Sequence, residues 1–154
     1  MMSLSAEVIS RLAGKTLVTA ESLTGGGIGA ELTSVPGASM VYKGGIMSYV
    51  NEVKADVLDV PREILDRYGA VSPWTAGYMA SGVRKLLKAD IAVSVTGLAG
   101  PGGDEFGHPV GTVYIGYESS SKSLVKEYRF QGNREAVRRQ TIEAALSLIL
   151  EQNP

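Results

Sequence analysis

Four short segments carry residue types that can do chemistry on a small molecule. The first, Ala20-Glu-Ser-Leu-Thr-Gly-Gly-Gly27, sets the carboxylate of Glu21 and the hydroxyls of Ser22 and Thr24 beside Gly25, Gly26 and Gly27. A glycine costs about 1 kcal/mol in a helix interior relative to alanine, so the run implies a close backbone approach or an unusual dihedral, and a ligand is its simplest reason. Free N–H groups and the positive end of a helix dipole would suit an oxyanion or phosphate there. The plainer reading is a capping hydroxyl with glycines that let a helix pack closely on a sheet. The second segment, Gly44-Gly-Ile-Met-Ser-Tyr-Val-Asn-Glu-Val-Lys54, offers Tyr49 and Lys54. A partly buried lysine can act as a base, although this segment alone favours a solvated charge on an exposed helix. The third, Val95-Thr-Gly-Leu-Ala-Gly-Pro-Gly-Gly103, presents Thr96, Gly97, Gly100 and Gly102 in a loop able to turn backbone N–H groups toward an anion or an amide carbonyl. The fourth, Gly132-Asn-Arg-Glu-Ala-Val-Arg-Arg139, places Arg134 and Arg138 four residues apart on one helix face. A fork of guanidinium groups suits phosphate, and a merely basic exposed face is the alternative.

Composition narrows what these groups can do. The 154 residues contain no cysteine and a single histidine, His108. Thiolate catalysis, disulfides and cysteine-ligated metal sites are thereby excluded, and a two-histidine zinc centre cannot form. Hydrolysis must rest on Ser, Thr, Tyr, Lys or carboxylates, unless the lone histidine serves a triad. With 15 basic and 16 acidic residues the net charge is −1, so no general grip on nucleic acid is expected. The N-terminal residues lack a basic stretch followed by an apolar run, and no span approaches membrane length. The chain reads as soluble and cytoplasmic, with no membrane partner.

The elements that must position these segments follow from periodicity. Leu4, Val8, Ile9 and Leu12 recur at helical spacing behind Ser3 or Ser5, and Gly14 ends that helix. Residues 16–20 read as a buried strand, followed by a turn and a helix through Leu32. Residues 40–50 suggest a second strand interrupted by Gly44-Gly45, a pair that marks a bulge or a close approach. Asn51 is a candidate cap for a short helix to Leu58, Pro61 sits where another begins, and Ser72-Pro73 opens a long helix to Leu87. Residues 90–95 form an apolar strand, residues 110–118 and 123–130 a hairpin, and residues 133–151 a closing helix. Such alternation predicts a single domain over residues 1–154, a three-layer α/β/α sandwich around a mixed, mainly parallel sheet with an antiparallel edge hairpin. The strand ends at Glu21 and Thr96 then lie side by side, which would bring Ser22 and the third segment to one crevice.

Two partial motifs carry less. Gly25-x-Gly27-x-x-Ala30 matches a dinucleotide fingerprint, but no acidic residue ends the following strand. Gly14-Lys15-Thr16 imitates the end of a phosphate loop, yet Ile9 stands where its first glycine belongs and the segment precedes the strand. His108, between Gly107 and Pro109, reads as a loop surface residue.

Together the segments resemble the CinA C-terminal domain family, whose characterised members are nicotinamide-nucleotide amidohydrolases. The resemblance runs from about Leu17 to the last helix. It is carried by Ala-Glu-Ser-x-Thr-Gly-Gly at 20–26, Gly-Gly-x-x-Ser-Tyr-x-Asn-x-x-Lys at 44–54, Gly-Ala-Val-Ser at 69–72, Val-Thr-Gly-x-Ala-Gly-Pro at 95–101 and Pro-Val-Gly-Thr-Val at 109–113. It implies deamidation of nicotinamide mononucleotide to nicotinate mononucleotide and ammonia, a pyridine-nucleotide salvage step that needs no metal and no cofactor. By position it implies Ser22 as nucleophile, Lys54 as base and Tyr49 as a hydroxyl relay or orienting donor. The oxyanion would be held near Thr24 to Gly26 or by Thr96-Gly97, and the phosphate by Arg134 or Arg138, or by the loop around Gly100 and Gly102. Leu23 stands where members usually carry cysteine. The separate N-terminal domain of many members is not expected here, nor its pyrophosphatase activity.

The expected partner is a small-molecule nucleotide, with the chain itself as a homo-oligomer, a dimer or larger. Two rival readings use the same residues. One is a pyridine-nucleotide-binding module without catalysis, the other a structural subunit that assembles through the helix from Pro73 to Leu87.

Overall fold

A computed structural model describes every residue from Met1 to Pro154. Five strands form one sheet: β1 (Leu17–Glu21), β2 (Tyr42–Met47), β3 (Ile91–Gly97), β4 (Thr112–Ser119) and β5 (Ser123–Arg129), in the order β2-β1-β3-β4-β5. β1 runs parallel to both neighbours, while β4 is antiparallel to β3 and β5. The parallel centre is covered on both faces, so β1 and all but the last residue of β3 are buried, including Thr19, Glu21, Ser94 and Thr96 among the apolar residues. β5, at one edge, alternates exposed and half-buried residues.

On one face of the sheet lie α1 (Leu4–Arg11), α2 (Gly27–Thr33) and α6 (Arg134–Gln152), and on the other α5 (Pro73–Leu87). Between β2 and α5 run two short helices, α3 (Asn51–Asp56) and α4 (Arg62–Tyr68). Val93, Val95, Val113 and Ile115 share a core of 19 buried residues with Val137, Leu146, Leu148 and Ile149 of α6. The opposite face is smaller, 10 buried residues, where Val18, Ala20 and Ala92 meet Met79, Ala80 and Val83 of α5. A buried Val, Leu or Ile contributes about 1.5–3 kcal/mol, so the α6 side is the stronger of the two anchors. None of the helices is long and apolar enough to cross a membrane.

Two helix starts, at Ser3 and Ser72, follow capping residues read from the sequence, and Asn133, read only as the first residue of the closing helix, proves to be its cap. Ser3 accepts from Ala6 N, Ser72 from Thr75 N with Pro73 just inside, and Asn133 from Ala136 N. At α3 the expectation fails: Val50 occupies the cap position without a side-chain bond, and Asn51 is the first helical residue. The Gly44-Gly45 pair does mark an irregularity, because Leu17 pairs with Tyr42 while Val18 pairs with Gly44 and Lys43 is left over. Gly45 also marks a close approach, since a Cβ there would stand 2.2 Å from Thr19 Oγ1 and 2.6 Å from Thr19 O.

Candidate active site

The carboxyl ends of β1 and β3 lie in register, Glu21 beside Val95, and Ser22 N donates to Val95 O at 3.2 Å. The two loops that leave these strands therefore flank one cleft, as the order of the elements predicts. The cleft measures about 600 Å³, and Ser22, Lys54, Thr96, Gly97, Leu98 and Arg134 are among the residues that line it.

At its floor Ser22 and Lys54 meet. Lys54 Nζ lies 3.1 Å from Ser22 Oγ, 2.6 Å from Ser48 O and 3.2 Å from Tyr49 O. Lys54 is fully buried, and no carboxylate is paired with it. Burial without a counter-charge disfavours the ammonium and pushes its pKa down from 10.5 to about 8. As an ammonium Lys54 can donate to all three oxygens; as a neutral amine its two N–H groups satisfy the two carbonyls and its lone pair is left for the hydroxyl proton of Ser22. Lys54 reaches this position from the first turns of α3, just past the loop that supplies both carbonyls.

The remaining candidates divide. Thr96, Gly97, Gly100, Gly102, Tyr49 and Arg134 line the cleft. Thr96 Oγ1 donates to Ala70 O at 2.7 Å, which ties β3 to the turn before α5. Arg134 donates from Nη1 to Gly100 O at 2.7 Å and from Nη2 to the Tyr49 hydroxyl at 3.2 Å, so it bridges the two walls. The Tyr49 hydroxyl thus engages Arg134, and the residue reaches Lys54 through its backbone carbonyl. Glu21, Thr24, Gly25, Gly26 and Arg138 do not line the cleft. Glu21 Oε1 accepts from Thr24 Oγ1 at 2.6 Å and Ile28 N at 2.9 Å, and Oε2 from Gly29 N at 3.0 Å. That carboxylate fills the positive end of α2, whose cap residue Gly26 has no side chain to do so, and the helix end is not left open for a phosphate. Gly25 and Gly26 have φ of 62° and 95°, so they are glycines for the backbone's sake. Arg138 is turned away onto the carbonyls of Leu23 and Thr24.

Sequence reasoning missed other parts of the cleft. Its lining also includes Val71, Asp104, Glu105 and Phe106. Asp104 Oδ1 accepts from the backbone of Phe106 and His108, and Oδ2 lies 2.7 Å from His108 Nδ1. These contacts shape the turn that carries Phe106, whose ring lies over Gly69, where an added Cβ would come within 2.6 Å of it. The lone histidine is thus a neighbour of the cleft wall, not of the serine. An aromatic within a Gly- and Asp-rich loop was the available signal.

Fold and cleft define a three-layer α/β/α domain with a buried serine–lysine pair at the carboxyl edge of its parallel strands. The chain belongs to the CinA C-terminal domain family, whose model matches residues 1–153. It is 46% identical over 138 residues to a CinA-like protein of Cytophaga hutchinsonii, covering 90% of this chain and 33% of that one. A CinA-like protein of Desulfotalea psychrophila is 43% identical over 136 residues, covering 88% and 33%. The chain therefore spans about a third of the length of the curated relatives it matches. Among solved structures it is similar to a competence/damage inducible protein from Agrobacterium tumefaciens, at 37% identity and a TM-score of 0.94 over 98% of this chain and 94% of that one. A CinA superfamily protein from Klebsiella pneumoniae gives 35% and 0.94 over 97% and 94%.

Proposed function

We propose that this domain is an amidohydrolase that converts nicotinamide mononucleotide to nicotinate mononucleotide and ammonia. The observation that carries the reading is the buried Lys54 Nζ at 3.1 Å from Ser22 Oγ, with no acid beside it. A serine needs a neighbouring base to attack an amide, and a desolvated lysine is one of the few groups that this composition leaves available. In the reaction Ser22 Oγ bonds the carboxamide carbon while its proton passes to Lys54 Nζ. The tetrahedral intermediate collapses as Lys54 returns the proton to the departing nitrogen, and ammonia leaves an acyl ester on Ser22. Lys54, neutral again, takes a proton from water as that water attacks the ester and gives it to Ser22 Oγ as the ester bond breaks, and the acid released loses its own proton to solvent as the carboxylate. Neither a metal nor a cofactor enters these steps.

The cleft is large enough for a mononucleotide. Arg134, exposed at its mouth and at the start of α6, is the cation placed to meet a phosphate. Leu98, Val71 and Phe106 supply an apolar wall for a pyridine ring. The expected result is ammonia release from nicotinamide mononucleotide by the wild-type chain, lost in Ser22→Ala and reduced by orders of magnitude in Lys54→Met. If the nucleotide raises the melting temperature of the wild-type chain and no ammonia appears, the domain binds without catalysis and the proposal is wrong.

A further inference from the structure

Arg138 lies outside the cleft, on the second turn of α6, yet its guanidinium reaches the backbone just after the nucleophile. Nε donates to Leu23 O at 2.9 Å and Nη2 to Thr24 O at 3.3 Å. From another side Glu21 Oε1 accepts from Thr24 Oγ1 at 2.6 Å, and Thr24 O also accepts from Gly27 N at 3.0 Å. Thr24 is therefore fixed at its carbonyl and its hydroxyl, and the peptide between Leu23 and Thr24 at its oxygen. A trans peptide is planar with N–H opposed to C=O, so a guanidinium on Leu23 O turns Thr24 N–H to the side away from Arg138. Neither Leu23 N nor Thr24 N donates to any protein acceptor, whereas Gly25 N is spent on Ser22 O at 3.1 Å. A carbonyl bonded to a cation also makes the N–H of its own amide a stronger donor.

We propose that Arg138 is a positioning residue that holds Leu23, which lines the cleft, and Thr24 so that the unspent backbone N–H groups of this pair donate to the oxyanion formed when Ser22 attacks a substrate. This rests on Ser22 being the nucleophile of the amidase reaction. Arg138 then acts on the transition state through the backbone and touches neither phosphate nor ring. A Cβ at Gly25 would stand 3.2 Å from Nη2, so the glycine there leaves the guanidinium room to reach these carbonyls.

The test compares wild type, Arg138→Met and Arg138→Lys in two assays, with melting temperature and far-UV circular dichroism measured alongside. The first assay is steady-state ammonia release from nicotinamide mononucleotide. The second is labelling of Ser22 by a fluorophosphonate, in which Ser22 Oγ bonds phosphorus, fluoride leaves and the hydroxyl proton passes to Lys54. In Arg138→Met we expect kcat to fall about 10²–10³-fold, the loss of one oxyanion donor, with KM nearly unchanged. Labelling should slow by a similar factor, Arg138→Lys should recover part of both, and free methylguanidine should raise the rate of Arg138→Met. A raised KM at unchanged kcat would show that Arg138 meets the substrate and would overturn the proposal. Labelling at the wild-type rate in both variants, or none in the wild type, also overturns it. Should the wild type label without releasing ammonia, only the choice of substrate fails, and the labelling rates of the variants still decide the role of Arg138. If Arg138→Met does not fold, Arg138→Lys decides by the same two rates.

Discussion

The two titratable states of Lys54 make different demands on the protein. As a base it must be neutral, and burial has lowered its pKa to about 8. The free-enzyme value governs kcat/KM, so kcat/KM for nicotinamide mononucleotide should rise with pH to about 8 and level off above it. A profile flat from pH 6 to 10 would contradict a lysine base. Stability carries the same signature with a definite sign. The folded value lies below the ordinary 10.5, so between about 8 and 10.5 the unfolded chain binds more protons and folding strengthens as pH rises. Below about 8 the buried ammonium costs roughly 3 kcal/mol relative to an unshifted lysine, at 1.36 kcal/mol per pKa unit. Lys54→Met should thus show its greatest stability relative to wild type at pH 7, with the advantage shrinking toward pH 10 in urea denaturation. An advantage that grows with pH would mean that the ammonium is stabilised by the fold.

At the scale of elements, the site depends on how closely α5 packs against the connection that follows α3. Gly82 of α5 faces the connection after α3, where an added Cβ would stand 2.0 Å from Leu58 O, a backbone atom that cannot swing aside. Gly82→Ala should cost about 1–3 kcal/mol as an overpacked contact. Because Leu58 lies four residues past Lys54, the ammonia-release rate should fall as well. Denaturation and activity measured on one preparation test this, and a variant as stable and as active as wild type would refute the coupling. The same elements show what was legible beforehand. The caps Ser3 and Ser72, the buried strands and the late hairpin all follow from local patterns, and they largely fix the layers. The neighbourhood of Ser22 and the loop after Thr96 follows from strand order. The 3.1 Å contact between Ser22 and Lys54, 32 residues apart, does not, because it depends on where α3 is set by packing against its neighbours. Arg138 was harder still. Helix spacing places it on a face with Arg134, but only the docking of α6 decides that one guanidinium meets the cleft and the other meets the carbonyls of Leu23 and Thr24. Glu21 reads from sequence as a ligand contact, whereas its position at the buried end of β1 makes it the cap of α2.

For the whole molecule, the proposed small-molecule substrate agrees with the near balance of charge and with a cleft of about 600 Å³. A net charge of −1 gives no overall attraction for a polyanion, so the chain should leave duplex DNA unretarded in a gel at about 150 mM salt, a result that appreciable binding would reverse. The cleft collects its groups from every part of the fold: the loop after β1, the start of α3, the turn before α5, the loop after β3 and the first turn of α6. Such a site forms only in the folded chain, and the proposed chemistry stands on Ser22. The most direct measurement is chromatography of the products formed from nicotinamide mononucleotide at pH 8.5, with ammonia assayed in the same sample. The wild-type chain should yield nicotinate mononucleotide and ammonia in equal amounts, and Ser22→Ala neither, while still binding the substrate. Equal turnover by Ser22→Ala, or no nicotinate mononucleotide from the wild type, would contradict the account.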